Sequence, residues 1–299
     1  MIKSTTLPTS ADAPSWVDRE AYPFESRWMR LPSGDRMHHV DEGTGETLLF
    51  VHGTPTWSYE WRHVIRALAG THRCIAPDHL GFGLSDRPRA GEYTPAWHAA
   101  NLAAFVDALG LESFTLVVHD YGGPIGVPLA VTRPERVKGL VVLNSFLWDL
   151  RGEQDVERAG RLLGGRFGRF LYRWLNLSLR VIMPAAYADR RKLTREVHGQ
   201  YLAPFRERWA REAVLWPLAR ELRGSWAFYD SQWQQRERLR DMPSLIVWGM
   251  KDPAFRPHLI ARWREVLPRA AVVELEVGHW PQEEAPADVV AAVGRFLGV

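Results

Sequence analysis

The stretch Phe114-Thr-Leu-Val-Val-His-Asp-Tyr-Gly-Gly-Pro124 constrains this chain more than any other. Its apolar run reads as a buried strand, Gly122 and Gly123 free the backbone for a sharp turn, and a helix begins beyond them. That order is the setting of the G-x-S-x-G nucleophile elbow, here with Asp120 where a serine would stand. The exchange changes which bonds can be broken. A serine that displaces a leaving group from saturated carbon becomes an ether, which water does not readily cleave. A carboxylate making the same attack becomes an ester, which water can open at its carbonyl. The elbow therefore points to saturated electrophilic carbon, as in alkyl halides, epoxides or other strained rings.

Around the elbow the chain alternates. Arg27 to Leu31 and Arg36 to Val40 read as short strands joined by a turn. Thr47 to Val51, Arg73 to Pro77, Phe114 to Val118 and Val137 to Leu143 read as buried strands. Helical spacing covers Trp57 to Ala69, Pro95 to Leu109 with Thr94 as N-cap, and Gly123 to Thr132. From about Phe146 to Gln235 the pattern is helical throughout, broken by Gly164-Gly165, Pro184, Pro204 and Pro217. Alternation resumes with a strand over Ser244 to Trp248, a helix over Pro257 to Leu267, a strand over Val272 to Val277 and a helix over Pro286 to Leu297. Strands alternating with helices imply an α/β fold whose mostly parallel sheet is covered by helices on both faces. The expected organisation is an N-terminal extension over 1–24, a core over 25–145 and 236–299, and an inserted helical cap over 146–235.

Composition narrows the functional classes. The 299 residues are 46% hydrophobic, enough for one large core. The first twenty or so residues are polar and Pro/Ser/Thr-rich, so disorder is expected there. They carry no apolar signal-peptide core, no run reaches membrane-span length, and the lone Cys74 allows no intrachain disulfide. A cytoplasmic location is expected. Net charge is +3, but Arg151 to Asp230 holds fifteen Arg and one Lys against nine acidic residues, a local +7. Spaced among Leu, Phe and Trp at helical intervals, these arginines read as solvated helix faces with ion pairs. No nucleic-acid motif and no metal-ligand spacing is present, and Gly81-Phe-Gly83 lacks the third glycine of a dinucleotide site.

An alkyl ester at Asp120 needs a base to activate water and donors for the resulting oxyanion. His279, in Val277-Gly-His-Trp280 after the last strand, is the candidate base. Asp252, in Trp248-Gly-Met-Lys-Asp-Pro253, is the candidate orienting acid, with Asp149 after the sixth strand as competitor. The backbone N–H groups of Tyr121 and of Thr54, in His52-Gly-Thr-Pro55, are the candidate oxyanion donors. Trp57, Trp148 and Trp226 lie in segments that could face a pocket.

Together these residues resemble the haloalkane dehalogenase and epoxide hydrolase branch of the α/β-hydrolases, from about residue 26 onward. The likeness also rests on Pro77-Asp-His-Leu-Gly-Phe-Gly-Leu-Ser-Asp86 and Tyr201-Leu-Ala-Pro-Phe205. It implies a two-part hydrolase without cofactor or metal, acting on a small apolar substrate and water, as a monomer or homodimer. A haloalkane is the first expected substrate and an epoxide the second; the β-lactone decarboxylase of the same branch, which shares the triad, ranks third. In the dehalogenase family a Trp after the nucleophile and an Asn in the His-Gly-x-Pro loop hold the departing halide. Here those places belong to Tyr121 and Thr54, whose hydroxyls can also donate to a leaving group. Epoxide hydrolases protonate the ring oxygen with two cap tyrosines. Arg223-Gly-Ser-Trp-Ala-Phe-Tyr229 resembles the segment carrying one, which makes Tyr229 a candidate, and Tyr172 is a looser match to the other.

Overall fold

The computed structural model describes residues 13–299. Its frame is one sheet of β1 (Arg27–Arg30), β2 (Arg36–Glu42), β3 (Thr47–Val51), β4 (Arg73–Pro77), β5 (Phe114–Asp120), β6 (Val137–Ser145), β7 (Ser244–Gly249) and β8 (Ala271–Leu275). The spatial order is β1-β2-β4-β3-β5-β6-β7-β8. Only β2 runs against its neighbours β1 and β4; every other pairing is parallel. The central strands β3, β5, β6 and β7 are the continuous apolar runs and are buried along nearly their whole length, as a sheet covered on both faces requires.

Helices α1 (Arg62–Leu68), α2 (Pro95–Ala108) and α3 (Gly122–Thr132) precede β6. The Thr94 hydroxyl accepts the Trp97 N–H and caps α2, as its position predicts. The helix expected from Trp57 begins as a 3-10 turn over Ser58–Trp61 and becomes α-helical only at Arg62. The reason is tertiary. Asp78 Oδ1 takes the Ser58 N–H at 2.8 Å, and the Tyr22 hydroxyl meets Ser58 Oγ at 2.6 Å. At the other edge, β8 stops before Val277, because the Val277 N–H bonds to the Leu275 carbonyl at 2.8 Å and turns the chain.

Between β6 and β7 come α4 (Gln154–Gly164), α5 (Arg166–Leu175), α6 (Met183–Ala186), α7 (Arg195–Leu202), α8 (Arg208–Ala210), α9 (Trp216–Gly224) and α10 (Trp226–Gln234). This insertion is fastened to the segments that follow the strands. Trp57 Nε1 donates to the Gln200 carbonyl at 3.1 Å, Gln232 Nε2 to the Pro124 carbonyl at 3.1 Å, and the His279 N–H to the Ala186 carbonyl at 2.9 Å. Helices α11 (Leu259–Val266), α12 (Pro281–Glu284) and α13 (Pro286–Leu297) complete the chain.

The expectation of disorder across the first twenty or so residues fails for its described part. Trp16 meets Trp57 edge-on, and Val17, Tyr22 and Phe24 are buried in the core. Gln200 clasps this segment twice, accepting the Asp18 N–H and donating to the Trp16 carbonyl. Buried aromatic area outweighs the polar composition there. Residues 1–12 of the expected extension lie outside the described residues.

Candidate active site

Asp120 ends β5 with φ +49, a left-handed conformation that costs a non-glycine residue on the order of 1–2 kcal/mol. The surroundings enforce it. The β5–β6 register shifts between His119 and Asp120, and Ser145 Oγ donates to the Asp120 carbonyl at 2.5 Å. Two glycines let neighbouring chains close in. A Cβ on Gly122 would lie 2.1 Å from the Val51 carbonyl oxygen, and one on Gly53 would lie 2.3 Å from Asp120 Oδ1. The side chain is thereby presented at the carboxyl end of the sheet, only 6% exposed.

The two carboxylate oxygens of Asp120 have different neighbours. Oδ1 accepts the Thr54 backbone N–H at 2.7 Å, in a loop containing a cis Thr54–Pro55 bond. Oδ2 lies 3.6 Å from His279 Nε2. The other imidazole nitrogen, Nδ1, is 2.7 Å from Asp252 Oδ2, and Asp252 Oδ1 accepts the N–H groups of Ala254 and Phe255 at 2.7 and 3.0 Å. The His279 backbone is pinned on both sides, its N–H on Ala186 and its carbonyl accepting from His119 Nε2 at 2.8 Å. The rings of Trp280 and Phe255 flank the imidazole at 4.5 and 5.5 Å. Burial disfavours charge on His279, but the Asp252 and Asp120 carboxylates outweigh it and lift the imidazole to about 10. Among the described residues no group of three or more His, Cys, Asp or Glu is placed to hold a metal ion.

Residues 46–286 match the family model described as the alpha/beta hydrolase fold. The chain is 35% identical over 294 residues to haloalkane dehalogenase 2 of Mycobacterium tuberculosis, covering 94% of this chain and 98% of that one. The crystal structure of haloalkane dehalogenase DbeA from Bradyrhizobium elkani superposes with a TM-score of 0.83 at 27% identity, covering 91% of this chain and 97% of that one. The chain belongs to the α/β hydrolases, of the haloalkane dehalogenase type. It is also 32% identical over 285 residues to the cis-3-alkyl-4-alkyloxetan-2-one decarboxylase of Shewanella oneidensis, covering 92% of this chain and 89% of that one.

Within this haloalkane dehalogenase-like hydrolase the structure places Asp120, His279, Asp252 and Thr54 together. The other candidate side chains have partners of their own. The Tyr121 hydroxyl, which can donate to a leaving group, donates here to the Leu218 carbonyl of α9 at 2.6 Å. The Tyr229 hydroxyl donates to the Glu221 carbonyl, one turn further along α9, at 2.9 Å. Tyr172 is buried, and burial raises its pKa. Trp57 stacks on Tyr59 and Trp148 packs edge-on against Trp233 and Trp263, so both indoles serve buried aromatic clusters. Trp226 is 46% exposed under the Arg151 guanidinium. Asp149, the competing acid, pairs with Arg151 at 2.6 Å.

One residue of the site escaped sequence reasoning. Asn144, near the end of β6 with φ +27, donates from Nδ2 to Asp252 Oδ2 at 2.9 Å and to the Gly249 carbonyl at 3.1 Å, while its Oδ1 accepts the Gly249 N–H at 2.7 Å. The one signal available was an Asn within an otherwise apolar strand end, Leu-Asn-Ser.

Proposed function

We propose that this hydrolase cleaves a carbon–halogen bond, with Asp120 as nucleophile, His279 as base and Asp252 as the acid that orients it. The carrying observation is the division of the Asp120 carboxylate. Oδ1 rests on the Thr54 N–H at 2.7 Å, while Oδ2 stands 3.6 Å from an imidazole already oriented by Asp252.

Oδ2 attacks the halogen-bearing carbon in line with the departing halide and forms an alkyl ester. The ester carbonyl is then Oδ1, already on its donor. His279 removes a proton from water, the hydroxide adds to the ester carbonyl, and the oxyanion is stabilised by the Thr54 and Tyr121 N–H groups. Collapse breaks the bond to the alkoxide, which takes the proton from His279 and leaves as the alcohol, and the acid left on Asp120 returns its own proton to the imidazole and is a carboxylate again. Charge times the second step. The Asp120 carboxylate helps hold His279 protonated, at about 10. Alkylation turns that carboxylate into a neutral ester, so the imidazole pKa falls, its proton passes to solvent as the halide leaves, and a neutral base is ready for water. The insertion fastened over the strand ends supports a dry pocket in which these interactions are strong.

His279→Ala separates the two steps. Incubated with dibromoethane, iodohexane, an epoxide and a β-lactone, the folded variant is expected to release one equivalent of halide and to gain the alkyl mass on Asp120. An adduct from the epoxide alone would move the reading to ring opening. No adduct from any halide would end the dehalogenase reading. In the intact enzyme, turnover in heavy-oxygen water should place label in the Asp120 carboxylate.

A further inference from the structure

Nine large hydrophobic side chains are exposed among the described residues, and seven of them fall between Leu162 and Ile182. The same span contains four arginines and no Asp or Glu. Phe167, Phe170 and Trp174, exposed by 60, 51 and 44%, recur at three- and four-residue spacing and so share one face of α5. Val181 and Ile182 are exposed in the π-helical turn Ser178–Ile182 that follows. Arg169 and Arg173 both pair with the single carboxylate of Glu212 in the neighbouring segment, which leaves the trio one positive charge. Arg166 and Arg180 carry no ion pair among the described residues. The Arg208 guanidinium lies 4.2 Å from the Trp174 ring.

We infer that this outer face of α5, with the turn after it, is a docking surface for an anionic lipid bilayer. Exposed Trp and Phe beside unpaired Arg is the composition of a helix that lies in the headgroup region, its rings below and its cations at the phosphates. No helix among the described residues is long and apolar enough to cross a membrane, so the contact is peripheral. A second copy of the chain fits the face less well. A two-fold contact would bring each arginine-rimmed patch against itself, with like charges facing and no acidic residue in the span to relieve them.

The opposite face of α5 carries Gly168 and Tyr172, both buried. One helix, about 10 Å thick, therefore separates the proposed lipid surface from the buried side of the insertion. On the dehalogenase reading, which this one consequence alone requires, an apolar substrate dissolved in lipid is delivered from the α5 side.

The test is co-sedimentation of the full chain with phosphatidylcholine vesicles, with and without phosphatidylglycerol. Binding is expected to be at least about tenfold stronger on the anionic vesicles and to be lost in high salt. Phe170→Ser/Trp174→Ser and, separately, Arg166→Glu/Arg180→Glu should each lower it about tenfold, with melting temperature unchanged. Equal partition on neutral and anionic vesicles, or none on either, overturns the inference. So does a concentration-dependent dimer, seen by light scattering and abolished by Trp174→Ser, in a protein that ignores vesicles. The readout needs no catalysis, so it stands or falls separately from the reaction assigned to Asp120.

Discussion

Asn144 and His279 share one oxygen of Asp252: the amide Nδ2 lies 2.9 Å and the imidazole Nδ1 2.7 Å from Oδ2. With two backbone N–H groups on Oδ1, the carboxylate has four donors and a fixed orientation. Asn144→Ala removes one of them and strands the Gly249 N–H in a buried strand. Stability should fall by about 1–3 kcal/mol, read by urea unfolding. With His279 less firmly oriented, the hydrolytic step should slow at least about tenfold while alkylation is spared, so an Asp120 ester should build up in rapid-quench mass spectra. Equal slowing of both steps would show that Asn144 does not act through the base.

Two glycines separate chemistry from folding. The missing Cβ of Gly53 leaves room for the Asp120 carboxylate itself, whereas that of Gly122 leaves room for the Val51 backbone. Gly53→Ala is therefore expected to fold but to push Oδ1 off the Thr54 N–H, with kcat down by about a hundredfold or more. Gly122→Ala presses on backbone that cannot yield and should lower yield or melting temperature instead. Circular dichroism melts beside initial rates distinguish the two, and a fully active Gly53→Ala would refute the close approach.

The Tyr121 hydroxyl should matter to folding more than to the leaving atom. The Tyr121 phenol is committed to Leu218, so Tyr121→Phe leaves that carbonyl short of a donor and should cost about 1–3 kcal/mol of stability with little change in halide release. A lowered rate of halide release with stability intact would show that Tyr121 exchanges partners when substrate binds.

Four buried histidines set an acid limit. Burial keeps His39 and His98 neutral, with pKa values down at about 4 and about 3, and lowers His52 and His79 as well. Their unfolded counterparts protonate near 6.5. The unfolded chain therefore takes up more protons, and stability is complete above pH 6.5 and falls as pH drops toward 4 and 3. Each group contributes a slope of up to about 1.4 kcal/mol per pH unit. His279 works in the opposite direction: raised to about 10, its contribution is full below 6.5 and is lost as pH rises through 10. Urea midpoints from pH 4 to 10 should show a steep acid limb that His98→Phe makes shallower, and an acid limb left unchanged in that variant would contradict the burial argument.

What could be read from sequence was local. The elbow is spelled by adjacent residues, and its left-handed Asp120 follows from a strand ending against a glycine-led helix. Asp252 and His279 could be read as candidates because each lies within a few residues of a strand's end. Asn144 could not, because its role needs β6 beside β7, and those strands are separated in sequence by the whole insertion. The partners of the Tyr121 and Tyr229 hydroxyls could not be read for the same reason. Their acceptors, Leu218 and Glu221, are carbonyls of one helix, which no residue type announces. Trp57 is likewise held by the Gln200 carbonyl, far along the chain.

The bond from Tyr121 to Leu218 has a mechanical meaning. It ties α9 to the residue that follows Asp120, so that the helix and the end of β5 shift as one rigid piece. Raising that helix away from the sheet would drag the strand end with it.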